Sequence, residues 1–423
     1  MATQLIHGDI IYSEGPDALS VHEDAYLLVR NGAVEGIWPQ VPETWAALPV
    51  TDYGRGLVIP AFSDLHIHAS QFLQRGVGMD CLLFDWLERY TFPQESNFRD
   101  PAYAAAVYDA LALELLRHGT FHASLFTTIH YDASDYLFQV MERYGMYAYV
   151  GKVNMDQSAP DFLRETTENS LAETERFVGD HAGHSRVRPI LTPRFAPTCS
   201  PALMEGLGKI AAHYGCGIQT HLCESREEVQ AALESHPGRT CDGEIYAQAG
   251  LLEHGPSIFS HVIFPSPRDL ELMRQAGSVA IHCPDATVNI TAGIMPTARL
   301  SEAGLTIALG TDIGGGHYPG VYRQVARAVQ VSKIKTFYEP ENRRLTFPEA
   351  FYLATAAGGR CFGPVGTFAP GSRFDALVVD EVEDLGFSLS PLERLERFCY
   401  IGDDRNIVAR YIDGAKLDLF DDR

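Results

Sequence analysis

His66 and His68 stand two positions apart in the stretch Asp64-Leu65-His66-Ile67-His68, directly after the apolar run Gly56-Leu57-Val58-Ile59-Pro60-Ala61-Phe62. Such a run reads as a buried strand. Residues two apart on a strand point to the same side, so the two imidazoles can share one divalent metal. An isolated His-x-His is more often an ordinary pair of surface or core histidines. This one is joined by three further residues at the ends of later apolar runs: His221, His261 and Asp312. Three neutral imidazoles and a carboxylate from among these residues suit a zinc-like ion that keeps one position open for water.

The chemistry comes from the donor set. A bound divalent cation lowers the pKa of its water from ~15.7 toward ~7, which makes hydroxide available at neutral pH. Asp312 is the candidate to take the water's proton. Glu224 lies three residues beyond His221, which on an unbroken strand is the opposite face. It must therefore sit where the chain has already turned, and there it can carry a proton to a substrate. The bland alternative makes it a first-turn acid of the helix beginning Ser225-Arg226-Glu227-Glu228. His261 orients the water or polarises the reacting centre, or else only supports the ligands from behind. Taken singly, His221 reads equally well as a satisfied core histidine and Asp312 as a helix cap.

These residues need a scaffold that brings strand ends together. From residue 59 the chain alternates apolar runs with helical stretches. Asp100-Pro101 opens a helix that Gly119 closes, with Val107, Leu111 and Leu115 recurring every fourth residue. Ser200-Pro201 to Gly215 and Ser266-Pro267 to Gly277 repeat the design. Candidate strands end near His68, His130, Asn154, Arg194, His221, His261, Cys283 and Asp312. The expectation is an α/β fold with a TIM-type (β/α)8 barrel over 59–364, with a doubly wound open sheet as the alternative. Before it, Leu5–Tyr12, Ala25–Val29 and Val34–Trp38 read as strands, the last two around an Asn31-Gly32 turn. After about 365, Phe374–Asp380 and Val408–Gly414 are again β-rich. Residues 1–58 and 365–423 are expected to form one composite β-sandwich. Lys335–Arg344, polar and containing Pro340, reads as a loop.

Composition narrows the function. The chain has 423 residues, and its 55 acidic against 33 basic residues give a net charge of -22. That excludes the basic footprint of a nucleic-acid binder. Its first residues show no signal peptide and no apolar run spans a bilayer. Eight scattered cysteines without a Cys-x-x-Cys pair read as reduced thiols of a cytoplasmic protein. There is no metalloprotease His-Glu-x-x-His, no Gly-x-Ser-x-Gly elbow, no dinucleotide-binding glycine pattern, and no His-x-Glu with Pro-Cys-x-x-Cys. Gly314-Gly315-Gly316-His317 lacks the ending of a phosphate loop and reads as a flexible loop near the pocket.

The order His-x-His, strand-five His, strand-six His, strand-eight Asp resembles the amidohydrolase superfamily. Two-metal members carry a lysine at the end of strand four. Pro189-Ile190-Leu191-Thr192-Pro193-Arg194-Phe195 has none, and Lys152 lies on strand three, so the resemblance is to the one-metal deaminase branch. Within it, His68-Ala69-Ser70-Gln71, the run Leu83 to Glu95 with its Tyr90-Thr91-Phe92-Pro93, Pro193-Arg194-Phe195, His221-Leu222-Cys223-Glu224 and His282-Cys283-Pro284 resemble the guanine deaminases. So does the ending Glu393 to Phe398 followed by Gly402-Asp403-Asp404-Arg405-Asn406.

The resemblance implies one Zn2+ per subunit, with Fe2+ also suited, on His66, His68, His221 and Asp312. It implies Glu224, Asp312 and His261 as catalytic groups. Gln71, Arg194 and Phe195, with His221, Glu224, His261 and Asp312, would meet the substrate. Gln offers a donor and an acceptor, Arg donates to a ring carbonyl and nitrogen, and Phe packs on a flat base. The implied reaction is attack of a metal-bound hydroxide on C2 of guanine, giving xanthine and ammonia in purine catabolism. The implied assembly is a cytoplasmic homodimer with a small-molecule purine as partner and neither nucleic acid nor membrane. Pro60-Ala61-Phe62 and Asp285-Ala286-Thr287 depart from the family pattern, and the latter loop is placed near the ligand. The alternatives are a deaminase of a related ring (pterin, 8-oxoguanine, cytosine) and, from a different class, a non-catalytic relative that keeps the barrel for binding. Trp86 and Tyr90 read as helix packing and Arg194 alternatively as a surface ion pair.

Overall fold

A computed structural model describes residues 3–383, 386 and 388–418. The outermost residues of the expected terminal unit, 1–2 and 419–423, and residues 384, 385 and 387 lie outside the described residues. Eight parallel strands position the site. β1 (Phe62–His68), β2 (Thr120–Phe126), β3 (Tyr147–Gly151) and β4 (Val187–Pro189) pair in that order. β5 (Ile218–Leu222), β6 (Ser257–His261), β7 (Val279–His282) and β8 (Thr306–Leu309) form a second four-stranded sheet. Backbone bonds join the two sheets at both edges. Leu191 N donates to Gly217 O at 3.0 Å and Gln219 N to Leu191 O at 2.9 Å. On the other side Asp312 N donates to His66 O at 2.8 Å and His68 N to Ile313 O at 2.7 Å. The strands therefore run in a ring, and their near-continuous apolar runs reflect burial on both faces.

The helices between strands begin and end where the sequence signals them. Asp100 accepts from Ala102 N at 2.9 Å and starts Pro101–Arg117, whose Val107, Leu111 and Leu115 are buried. Ser200 and Ser266 cap Pro201–Tyr214 and Pro267–Ala276, and Gly215 and Gly277 end them at φ of 66° and 63°. Only glycine takes that left-handed conformation without a Cβ penalty.

The two chain ends do share β structure. The strands Thr3–Gly15, Ala18–Arg30, Ala33–Trp38, Val50–Pro60, Ala376–Val379, Ile407–Ile412 and Ala415–Lys416 make one seven-stranded sheet. The N- and C-terminal strands of the expected composite unit are continuously hydrogen-bonded in this one sheet. The reason is the strand Val50–Pro60, which pairs parallel with the first strand and antiparallel with Ala376–Val379, bridging the N- and C-terminal contributions. Side chains alternate as a pleat requires. Ile11, Leu57, Ile59 and Leu377 join the main core, while Ile10, Val58 and Val378 pack with Phe368 and Phe374 on the other face.

Three expected boundaries shift. β2 stops at Phe126, and His130 instead precedes the helix Tyr131–Arg143. The fourth strand is broken: β4 ends at Pro189, and Thr192–Pro193 pairs with Val153–Asn154 just before Arg194. Lys335–Tyr338 is helical, being the last turn of Val321–Tyr338, and the loop begins only at Glu339, ahead of Pro340. Among the described residues no helix is long and apolar enough to cross a membrane.

A buried carboxylate helps tie the terminal sheet to the ring. Asp375, which just precedes the strand Ala376–Val379, places Oδ2 2.9 Å from His122 Nε2 on β2 and accepts from Arg373 Nε at 2.7 Å. Its Oδ1 accepts from Asp413 N at 2.7 Å. Burial alone raises the Asp375 carboxyl, but the His122 hydrogen bond and the neighbouring charges hold it below the usual aspartate range. A lowered folded pKa stabilises above the ordinary range and the gain is lost as pH falls through the folded value. Asp375→Ala strands the buried His122 and costs about 3 kcal/mol in urea unfolding. Asp375→Asn flattens the acid limb of the stability-against-pH curve, and an unchanged acid limb would refute the coupling.

Candidate metal centre and active-site cavity

The histidines and carboxylates converge at the C-terminal ends of the strands. His66 and His68 leave β1 on one side, with ring centroids 4.9 Å apart. His66 Nε2 lies 3.2 Å and His68 Nε2 3.5 Å from Asp312 Oδ1. His221, on β5, brings its Nε2 within 3.0 Å of His68 Nε2. Its other ring nitrogen, Nδ1, donates to Arg194 O at 2.6 Å, which leaves Nε2 as the free acceptor aimed at the cluster. His261 ends β6 with Nε2 3.4 Å from Glu224 Oε1 and 3.9 Å from Asp312 Oδ2.

This donor set fits a divalent cation. Two groups, His66-His221-His261 and His66-His68-Asp312, each place ligand atoms within 4.8 Å of one another. Both ring nitrogens of His66 and of His261 are buried without a hydrogen-bond partner. A buried nitrogen without a partner costs about 1–3 kcal/mol, which coordination to a cation removes. Burial also holds His66 down to about 3, and His68, His221 and His261 well below the usual histidine range, so all four imidazoles are neutral, as ligands must be. Burial pushes the Asp312 carboxyl well above its usual range, and an adjacent cation is the interaction that restores its charge.

Turns, not strands, deliver the carboxyls. β5 ends at Leu222, and Cys223 takes a φ of 54°, which swings Glu224 back to the side of His221. Asp312 lies three residues past β8 with a φ of 50°. Asp64, fully buried on β1, braces that turn: its Oδ1 accepts from Thr311 N at 2.9 Å and its Oδ2 from Thr311 Oγ1 at 2.5 Å. Burial raises the Glu224 carboxyl to about 8, with the Asp312 charge adding to the rise and Arg194 opposing it. Burial thus favours the protonated form of Glu224.

A cavity of about 420 Å³, open to solvent at its mouth, adjoins the cluster. His68, His221, Glu224 and Asp312 form its polar end, Gln71 and Arg194 its flank, and Phe195, Trp86, Leu83, Leu87 and Ile290 its apolar walls, with Gly315 completing it. Every expected substrate-facing residue lines it except His261, which sits behind Glu224 and Asp312 at 1% exposure. Trp86, read from sequence as packing, is a wall; its Nε1 donates to Val77 O at 3.0 Å. Asp285, Ala286 and Thr287 are buried in the short helix Pro284–Asn289 and do not line the cavity. Asp285 instead accepts from Arg327 Nε at 2.6 Å. Lys152 is away from the centre, its Nζ bonded to both oxygens of Glu165 at 2.9 Å.

Sequence reasoning assigned no role to Glu95, which joins the two flank residues. Its Oε1 accepts from Gln71 Nε2 at 2.8 Å and its Oε2 from Arg194 Nη1 at 2.6 Å, all three side chains being buried. Gln71 Oε1 in turn accepts from Gly314 N at 3.1 Å, so the amide is fixed at both ends. The only signal was its place in the run from Leu83; a buried loop glutamate has no spacing to betray it.

Residues 57–417 match the amidohydrolase family. The guanine deaminase of Dictyostelium discoideum is 36% identical over 378 residues, covering 87% of this chain and 84% of that protein. The guanine deaminase of Escherichia coli (strain K12) is 31% identical over 413 residues, covering 94% and 92%. The crystal structure of guanine deaminase from C. acetobutylicum with bound guanine in the active site superposes with a TM-score of 0.95 at 37% identity, covering 98% of this chain and 100% of that one.

Purified protein should carry about one divalent cation per chain by elemental analysis, because the donors converge on a single position. His66→Ala and His221→Ala each lose it while keeping the far-UV spectrum of the parent. Stoichiometric metal in both variants would show that the ion is held elsewhere.

Proposed function

The chain belongs to the amidohydrolase family, and from that premise we infer that it hydrolyses guanine to xanthine and ammonia. The observation that carries this reading is one cavity holding both a His/Asp cluster with an adjacent Glu224, whose protonated form burial favours, and a Gln71–Glu95–Arg194 clasp between apolar walls. We take the ring of strands for the expected (β/α)8 barrel over 59–364, and the terminal sheet for a separate unit from 1–58 and 365–423. Eight free cysteines fit a cytoplasmic setting, and we propose a homodimer acting in purine breakdown.

His66, His68, His221 and Asp312 would hold the metal, with zinc the ion best suited to them. That cation, when bound, acidifies a water beside it. The rest falls to the chain. Phe195, Trp86 and Leu87 give a flat base an apolar slot and exclude solvent. Arg194 and Gln71 orient it from the flank. Asp312 removes the water's proton as its oxygen adds to C2. Glu224 protonates the ring nitrogen beside C2, so no charge is stranded in a dry site. His261, touching Glu224 and Asp312, steadies both. The proton that Asp312 took leaves with the exocyclic amine as ammonia when the C2–N bond breaks; C2 keeps the oxygen as a carbonyl, and the proton of its hydroxyl returns to Glu224.

Ammonia release measured across guanine, pterin, 8-oxoguanine, cytosine and adenine should be fastest with guanine, and faster turnover of another ring would replace this assignment. Glu224→Gln lowers kcat by about 10³-fold with metal content intact. Glu95→Ala frees Gln71 and Arg194, and should raise KM for guanine about tenfold while changing kcat less.

A further inference from the structure

The turn that aims Glu224 rests on two buried carboxyls that the mechanism above does not use. Glu228, in the first turn of the helix Arg226–Ser235, accepts from Glu224 N through Oε2 at 2.7 Å. Asp242, the first residue of the helix Asp242–Gln248, accepts from Cys223 N through Oδ2 at 3.1 Å. Consecutive amides of one left-handed turn are thus gripped by acids from two different helices. Both acids are 0% exposed, and they sit on neighbouring amides of the same turn. Their second oxygens, Glu228 Oε1 and Asp242 Oδ1, are buried with no hydrogen-bond donor facing them, and a proton held between the two acids would give both a partner. Two carboxyl oxygens can bond only if one carries a proton.

We propose that Glu228 and Asp242 share one proton and act as a paired clamp on the Cys223–Glu224 amides, positioning the Glu224 carboxyl for proton transfer. The idea rests on the assignment of Glu224 as the acid. Burial disfavours charge on both acids, and the charge of Glu228 on Asp242, like that of Glu224 on Glu228, adds to it, which is the electrostatic reason a proton stays. The clamp is anchored in turn. Glu228 N donates to Ser225 Oγ at 3.0 Å, and Gly243 N donates to Asp269 Oδ1 at 2.7 Å, fixing where each helix begins. From the other side, Ile263 N and Phe264 N both donate to Cys223 O at 3.0 Å. A non-glycine residue at a φ of 54° is strained, so the turn needs such support to persist.

The pairing makes an arithmetical prediction about donors. One acid and one amide still satisfy every partner: the amide oxygen takes the backbone N–H, and its NH₂ replaces the shared proton. Two amides cannot, because two NH₂ groups then face each other or one faces a backbone N–H. Glu228→Ala should lower kcat for guanine by about 10²-fold with KM and bound metal near the parent values, because Glu224 is misplaced rather than removed. Glu228→Gln and Asp242→Asn should each restore kcat to within about threefold. The double variant Glu228→Gln/Asp242→Asn should fall back to the level of Glu228→Ala. If the double variant does not fold, Glu228→Ala against Glu228→Gln carries the test. Parental kcat in Glu228→Ala or in the double variant, or single amide variants as impaired as Glu228→Ala, would overturn the clamp. Glu224→Gln serves as the control: if it retains parental kcat, the assignment of the acid is what has failed, and if it is inactive while Glu228→Ala is parental, only the clamp has.

Discussion

The active end of the ring is a polar cluster almost wholly shielded from bulk solvent. Four imidazoles, Asp312 and Glu224 meet within ion-pair distance while almost wholly buried. Dry surroundings disfavour charge on any of them, so the histidines stay neutral and the acids are driven toward protonation. Positive charge is what such a cluster lacks. Arg194 is near enough to act on His66, His221, Glu224 and Asp312, but its own guanidinium is matched by Glu95 at 2.6 Å. A divalent cation resolves that deficit in one step, and the rest of the architecture keeps the donors where they can receive it.

Keeping them there is the work of turns and buried acids more than of strands. Cys223, His261 and Asp312 all adopt left-handed backbone at the strand ends, with φ of 54°, 75° and 50°. Each such residue is strained by about 1–3 kcal/mol and persists only where its surroundings over-determine it. Asp64 provides this for Asp312 through Thr311, and the Glu228–Asp242 pair for Glu224 through two amides. These acids are themselves buried, and their ordinary ionisation is suppressed. Asp64 is raised to about 7 by burial against the pull of its hydrogen bonds to Thr311 and His66. A carboxyl without its charge still accepts hydrogen bonds, which is what a brace in a dry site needs.

The same division explains what could be read from the chain. His66, His68, His221 and Asp312 were legible because each closes an apolar run, and strand ends in a parallel ring share one mouth. Glu224 was legible as a contradiction: its spacing from His221 put it on the wrong face, and the left-handed Cys223 is how the chain resolves that. Glu95, Asp64, Glu228 and Asp242 were not legible, because their partners lie dozens to hundreds of positions away or on the backbone of a turn, and neither leaves a periodic trace. Register was equally hidden at the chain ends. The β-rich runs Leu5–Tyr12 and Val408–Gly414 marked the strands observed at Thr3–Gly15 and Ile407–Ile412, but only the pairing of Val50–Pro60 with both halves decided that they form one sheet. Pro340 marked a boundary, yet the helix before it ran on to Tyr338, since proline restricts chiefly the residue just before it and leaves the more distant turns of a helix free to form.

The clasp also bears on which ring the cavity takes. A guanidinium offers donors only, and Gln71 has no freedom to flip, because Glu95 holds its NH₂ and Gly314 N its oxygen. The flank is therefore a fixed pattern rather than an adaptable one. Guanine presents two acceptors, O6 and N7, along one edge; adenine replaces the first by an amine. An amine set against the buried donors of Arg194 leaves both sides unpaired, at about 1–3 kcal/mol for each group. The departure at Asp285-Ala286-Thr287 does not touch this pattern, since those residues pack away from the cavity and Asp285 answers to Arg327 and Gln324. Discrimination on the proposed reading therefore lies in Glu95, which touches no ring itself but decides what the residues that do can offer.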